Sequence, residues 1–242
     1  MMAGLNDVLK ILQRYQKFLV TTHYNLDADA LCSVLATVMF LKACAKTVVA
    51  VNEDVIPQWL QFLPGSTMVK KVSDLKIFDY DAAIVLDCGD LGRIGEVKKI
   101  IDTKKPLINI DHHVTNDHFG SVNLVAQASS SSEIVFDLLA KARFPLNKNL
   151  ATLLYAGIMT DTGSFRYENT NAHCHEIVSQ LMKYKFSVSG MYDSLYAGIP
   201  ASNMKMFAGL IHKVKFMEGN KVCILSMTQK EAGRFLKSFD IK

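Results

Sequence analysis

Several things are scarce in this chain of 242 residues. It has no long apolar run. The stretch Leu31 to Leu41, LCSVLATVMFL, ends at Lys42 and is too short for a bilayer, which takes roughly 20 apolar residues. A basic leader is missing as well. The opening MMAGLNDVLKILQRYQKFLV is interrupted by Asp7, Lys10, Arg14 and Lys17, which reads as an amphipathic helix running into a strand and not as a signal peptide. The five cysteines, Cys32, Cys44, Cys88, Cys174 and Cys223, form no CxxC pair, so free thiols in a reducing cytoplasm are expected. Charge of one sign is also scarce: 27 Lys and Arg against 23 Asp and Glu leave +4, with no basic tail that would demand a nucleic-acid or membrane partner. Low-complexity linkers and internal repeats are absent. What remains is an ordinary globular balance, half hydrophobic and a fifth charged, long enough for one large domain or one domain and part of another.

Over the first 125 residues, short β-rich runs alternate with helical spacing. The expected strands are 18–22, 47–51, 82–86, 107–110 and 122–125, with a helix over 29–45 and a short helix over 57–62. Short apolar runs separated by helices predict a parallel sheet sandwiched between helices, an α/β domain. The remainder is mostly helical. Ser130-Ser131-Ser132-Glu133 fits a capping box opening a helix to about Lys141, which accounts for the serine run by itself. Further helices are expected over 148–159, 172–185, 188–197 and 202–212. The pattern then changes to a hairpin, 213–217 and 222–226, turning at Gly219-Asn220, with Thr228 capping a last helix to about Lys237. The expected organisation is a catalytic domain over 1–185, a helical linker over 186–212 and the beginning of a small α/β domain over 213–242.

Candidate chemistry gathers where strands end, the place where open parallel sheets bind ligands. The first strand delivers His23, Asp27 and Asp29. The run 82–86 delivers Asp87, with Asp90 nearby, and 107–110 delivers Asp111, His112 and His113. The helix from Lys148 ends in Thr160-Asp161. One Asp after a strand is usually a cap or turn residue, and Asp27 and Asp29 can simply cap the helix that follows. Four distant segments placing so many carboxylates on one rim is another matter, because they repel unless cations neutralise them. Oxygen-rich sites with one or two imidazoles suit Mn²⁺ or Mg²⁺ better than structural zinc.

In their order and wording these segments resemble the motifs of the DHH phosphoesterase superfamily. His23-x3-Asp27-x-Asp29 with Ser33 is similar to the first motif. VLDCGDLGRIG around Asp87 is similar to the second, Asp111-His112-His113 is the triplet that gives the superfamily its name, and AGIMTDTGSFRY around Asp161 is similar to the fourth. The resemblance spans roughly residues 15–200. The phrase GIMTDTGSFRY most resembles the oligoribonuclease branch, whose members also remove the 3′-phosphate of phosphoadenosine phosphate. The chain departs from the family in reading NLDAD where many relatives read NPDGD, and no GGGH-type motif of the C-terminal substrate-binding domain occurs in it.

The resemblance implies two divalent ions, Mn²⁺ foremost, with Mg²⁺ or Co²⁺ as alternatives. One would be held by His23, Asp27 and Asp87, the other by Asp29, Asp87, His112 and Asp161, with Asp87 bridging. His113 would touch a phosphate oxygen or move a proton, and Asp111 would orient a ligand imidazole. Arg93 and Arg166 are candidate phosphate contacts. His118, His173, His175 and His212 have no motif support and are expected to be structural. The implied substrate is a short oligonucleotide or nucleotide, with no membrane partner; oligomeric state is not written in the sequence. The alternatives within the class are a cyclic-dinucleotide phosphodiesterase, a single-strand exonuclease and a manganese pyrophosphatase. Outside it stand an inactive fragment and a binding module with a degenerate site.

Overall fold

The computed structural model describes residues 4–76, 78–197, 204 and 208–231. Contacts divide the chain into two units, Met1–Ile56 with Leu60–Phe186, and Pro57–Trp59 with Ser187–Lys242.

The first unit is built on a six-stranded parallel sheet. Its strands are β1 (Lys17–Thr22), β2 (Thr47–Asn52), β3 (Val69–Lys71), β4 (Ala82–Leu86), β5 (Leu107–Asp111) and β6 (Val122–Val125), in the order β3-β2-β1-β4-β5-β6. β4 and β5 are buried along their whole length, as strands covered on both faces must be, and their sequences are accordingly continuous apolar runs rather than alternating ones. One face carries Leu19, Val51, Ala83, Val85 and Leu107. It packs against Ile94 and Val97 of a 3-10 segment, Leu91–Ile100, and against Leu75, Ile101 and Phe119.

The α-helices are α1 (Leu5–Arg14), α2 (Ala28–Ala43), α3 (Ser131–Lys141), α4 (Lys148–Asp161) and α5 (Ala172–Leu181). α2 and α4 are apolar nearly all round: from Ala28 to Phe40 only Met39 of α2 escapes full burial. Such helices belong inside a core and not on its surface, and α2, α3 and α4 pack on one another. Each starts on a side chain accepting an N–H three residues on: Asp27 for α2, Ser130 for α3, Asn147 for α4.

The sequence pattern and the structure differ in detail. The helix expected over 57–62 is a single 3-10 turn, Gln58–Leu60. β3 and the 91–100 segment have no counterpart in the sequence reading; β3 is three residues long and two of them are exposed lysines. The segment 172–185 ends its α-helix at Leu181 and tightens to 3-10 over Met182–Tyr184.

In the second unit, α6 (Val188–Tyr192) starts on Ser187 and continues into a π-type turn, Asp193–Ala197. A hairpin pairs β7 (Lys215–Met217) with β8 (Val222–Ile224), Phe216 opposite Cys223. Gly219 and Asn220 both take positive φ, 62° and 70°, which matches the twist of a tight hairpin. Thr228 and Glu231 exchange hydrogen bonds, Glu231 N–H to Oγ1 at 3.3 Å and Thr228 N–H to Oε2 at 2.9 Å. The rest of the helix expected to Lys237, and most of that expected over 202–212, lie outside the described residues. No helix among the described residues is long and apolar enough to cross a membrane.

Candidate active site

The chain lays β2 and β3 on one side of β1, then returns to place β4 on the other. β1 and β4 therefore flank the switch point, where an open sheet leaves a crevice beyond its carboxyl ends. The register pairs Thr22 with Leu86 and Leu86 with Ile110. His23 and Asp87, just beyond β1 and β4, thus stand beside Asp111, the last residue of β5.

His23 is 3% exposed. Its Nδ1 lies 2.7 Å from the Tyr24 carbonyl. A carbonyl only accepts, so Nδ1 carries a proton and Nε2 is the nitrogen turned to the cluster. Nε2 stands 3.5 Å from Asp27 Oδ2 and 3.6 Å from Asp87 Oδ2. Asn52, at the end of β2, donates to the Thr22 and His23 carbonyls at 3.2 and 2.9 Å, fixing the exit from β1. Asp27 does cap α2, its Oδ1 accepting from Ala30 N–H at 2.9 Å, but the other oxygen remains for His23. Leu26 and Ala28, the two departures from the family wording, are both buried.

Asp87 comes directly after β4 with φ of 51°, a left-handed backbone that a side chain adopts at some cost and that marks functional turns. It is 2% exposed. Its Oδ1 accepts from the Ser131 hydroxyl at 2.9 Å and lies 3.5 Å from His112 Nε2. His112 Nε2 is also 3.4 Å from Asp161 Oδ2, at the last residue of α4. Asp29, equally buried, caps nothing in α2. Its two oxygens accept from the first N–H groups of α3, Ser131 at 2.7 Å and Ser132 at 3.0 Å. Gly157 of α4 makes room for it, since a Cβ there would stand 2.5 Å from Asp29 Oδ1 and 2.0 Å from Ser132 Oγ.

The serine run therefore does more than the capping box accounts for. Ser130 accepts from Glu133 N–H at 3.0 Å, but Glu133 reaches back to Ser129, not Ser130, and Ser131 faces the site. Sequence reasoning missed Ser131, Ser132, Asn52, Asn116 and Gly157. The contacts of Ser131, Ser132 and Asn52 cross 29 to 103 positions and Gly157 joins separate helices, so no local pattern encodes them; Asn116 reaches Asp111 across only five positions, inside a loop with no regular period.

The electrostatics are those of a site short of positive charge. Burial, together with the charges of Asp87 and Asp161, pushes the Asp29 carboxyl well above its usual range. Burial likewise raises Asp161 to about 6, against the pull of His112. Burial opposes ionisation of Asp87 too, but hydrogen bonds from His112 and His23 win and hold it well below. The imidazoles show the converse. Burial disfavours their charge, yet the carboxylates lift His23, through Asp27 and Asp87, and His112, through Asp87 and Asp29, to about 10. Each imidazolium thus offsets part of the negative charge of the carboxylates around it.

Nitrogen and oxygen atoms of three groups come within 4.8 Å of one another: His23, Asp27 and Asp87; Asp29, His112 and Asp161; and Asp87, Asp111, His112 and His113. The first two sets, joined through Asp87, can hold metal, and carboxylates with one imidazole each suit a hard divalent ion. In the third, Asp111 is bonded to two side chains that follow it in the chain. Its Oδ1 lies 2.7 Å from His113 Nδ1 and its Oδ2 accepts from Asn116 Nδ2 at 2.5 Å. Those bonds hold its carboxyl low against burial, and the bond to Asp111 raises His113. His113 is half-buried, its ring tilted beside that of His112 at 4.7 Å.

The two arginines are less committed. Arg93 gives its backbone carbonyl to Tyr24 N–H at 2.8 Å, bracing the first-motif loop. Arg166 is exposed, and its Nε donates to the Gly163 carbonyl at 2.8 Å, just past α4. No described hydrogen bond or ion pair joins either guanidinium to the carboxylate cluster. Two of the remaining histidines have local partners: His173 pairs with Asp137 at 3.0 Å and His175 lies against Phe165.

Residues 17–158 match the DHH family, N-terminal domain. The chain is 31% identical over 198 residues to a probable bifunctional oligoribonuclease and PAP phosphatase NrnA of Streptococcus mutans, covering 78% of this chain and 60% of that protein. It is 28% identical to the Thermus thermophilus bifunctional oligoribonuclease and PAP phosphatase NrnA, over 83% of this chain and 60% of the other. The chain thus spans about 60% of the length of these relatives. Among solved structures, an exopolyphosphatase-related protein from Bacteroides fragilis superposes with a TM-score of 0.89 at 27% identity, covering 96% of this chain and 72% of that one. With the family match running from the start of β1 to near the end of α4, through His23, Asp87 and Asp111-His112-His113, the chain belongs to the DHH family.

Proposed function

We propose that this chain hydrolyses phosphoester bonds in short oligonucleotides and nucleotides, phosphoadenosine phosphate (PAP) among them, with two divalent cations, Mn²⁺ first. The observation that carries the reading is the sharing of Asp87. One of its oxygens faces His23, beside Asp27, and the other faces His112, beside Asp161. A single carboxylate between two half-sets of ligands is what a pair of cations needs. The substrate class follows the relatives named as oligoribonuclease and PAP phosphatase.

His23, Asp27 and Asp87 would hold one cation, and Asp29, Asp87, His112 and Asp161 the other. Such a pair lowers the pKa of water and offsets charge on the attacking and leaving oxygens. The rest falls to the chain's own groups. His113, held by Asp111 through Nδ1, presents Nε2 to give a proton to the leaving oxygen or to contact a phosphate oxygen. Asp111, itself tied to Asn116, keeps that ring from rotating and stabilises its charge. Arg166, with its Nε anchored, and Arg93 are the guanidinium groups available to a phosphate.

A substrate panel with added Mn²⁺ tests the reading: a dinucleotide, PAP, a cyclic dinucleotide and pyrophosphate. Turnover of the dinucleotide and PAP, abolished by chelation, is expected. Turnover of pyrophosphate alone, or rates unchanged by chelation, would overturn it.

A further inference from the structure

Helix α3 begins in a run of four serines, Ser129–Ser132, every one at 0% exposure. Starting a helix does not require them all. Ser130 satisfies the Glu133 N–H, and Glu133 in turn accepts from Ser129 N–H at 3.1 Å. The N–H groups of Ser131 and Ser132 go to Asp29. That accounts for three of the four N–H groups a helix start leaves open without any use of the Ser131 hydroxyl. Alanine at that position would serve the helix as well, and a buried hydroxyl is costly without a partner. Its partner is Asp87 Oδ1, 44 positions away, at 2.9 Å. Ser131 is thus bonded, through two different atoms, to two carboxylates, Asp29 in the first turn of α2 and Asp87 just beyond β4.

We propose that Ser131 is a positioning residue for the cation pair: its hydroxyl sets the rotation of Asp87 between the two ligand sets, while its N–H, with that of Ser132, holds Asp29. This rests on the two-cation reading above. A carboxylate shared by two ions must present one oxygen to each side. The hydroxyl occupies one lone pair of Oδ1 and leaves Oδ2 turned towards His23. Without it the Asp87 carboxylate loses a fixed donor beside its contacts to His23 and His112, and it turns towards one cation at the expense of the other. Partners of this kind, behind a ligand, are worth about 10- to 100-fold in metal affinity.

The test is a Mn²⁺ binding isotherm on the whole chain after chelator treatment, read beside its thermal melt. Ser131→Ala is expected to weaken binding of at least one Mn²⁺ about 10- to 100-fold. Ser131→Cys, close in shape but a poor donor, should behave alike even if alanine compromises folding, and Ser131→Thr, which keeps the hydroxyl, should restore affinity. Asn171→Ala is the control. It removes the cap of α5, which accepts from Cys174 N–H at 2.9 Å, and should lower stability by a similar small amount while leaving Mn²⁺ binding unchanged. Affinities within threefold of the starting protein in both Ser131→Ala and Ser131→Cys, with two Mn²⁺ still bound, would overturn the positioning role alone. An equal loss in Asn171→Ala would also overturn it, by reducing the effect to stability. A starting protein that binds no Mn²⁺ would overturn the two-cation reading and the inference together.

Discussion

Loading the site with Mn²⁺ at pH 7 should expel protons, and the structure sets how many. In the metal-free protein His23 and His112 are lifted to about 10 by the carboxylates around them, so both imidazoles are charged at neutral pH. A cation can be ligated only by a neutral Nε2, and each ligating imidazole must therefore give up its proton. Two protons come from this pair of histidines. Asp29, pushed well above its usual range, adds to them, and Asp161, raised to about 6, joins below that pH. At least two protons should therefore leave per pair of Mn²⁺. Every proton released steepens the pH dependence tenfold per unit, so the product of the two dissociation constants should fall about a hundredfold for each unit between pH 6 and 8. Titration calorimetry in buffers of different ionisation enthalpy reads the proton count directly. The sign for stability is definite as well. Raised imidazole pKa values stabilise the metal-free fold fully below about pH 6.5, and that contribution is lost as pH rises through about 10. The rise in Tm on adding Mn²⁺ should consequently be larger at pH 8 than at pH 6. A release below one proton, or an affinity flat from pH 6 to 8, would show that these imidazoles are not the ligands.

Other perturbations separate the roles of neighbouring groups. Asp87→Ala should abolish turnover and lower Mn²⁺ content more than any other single change, because one carboxylate serves both ligand sets; near-normal turnover would refute the sharing. His112→Ala should lose one Mn²⁺, whereas His113→Ala should keep two and lose turnover, about 10²- to 10⁴-fold if it moves a proton; equal metal loss in both contradicts the division. Gly157→Ala places a methyl 2.0 Å from Ser132 Oγ and 2.5 Å from Asp29 Oδ1. It should cost about 1–3 kcal/mol in a chelator-treated melt and weaken Mn²⁺ binding, and an unchanged melt would mean that α3 and α4 yield there.

What the sequence disclosed, and what it hid, follows from the range of the interactions. His23, Asp87 and Asp111 lie immediately beyond or at the end of strands whose apolar runs are unmistakable, so their shared rim could be foreseen from strand periodicity and the rule for open parallel sheets. Asp161 closes an apolar helix and was equally exposed to inspection. Ser131 was not, because a serine before Glu133 has a sufficient local explanation, and the bond to Asp87 is visible only once α3 is folded against β5. Half of the capping box stands as written, Ser130 accepting from Glu133 N–H, while Glu133 returns its bond to Ser129 instead of Ser130. β3 and the 3-10 segment from Leu91 to Ile100 escaped for a different reason. The strand has three residues, and the segment breaks its helical backbone at Gly95 with φ of 57°, so neither sustains a period long enough to read.

The central claim is a pair of cations sharing Asp87, and anomalous diffraction from crystals grown with Mn²⁺ tests it most directly. Two anomalous peaks are expected, one within ligand distance of His23, Asp27 and Asp87, the other of Asp29, Asp87, His112 and Asp161. A single peak, or density on Asp111 and His113 with Asp87 touching only one ion, would contradict it.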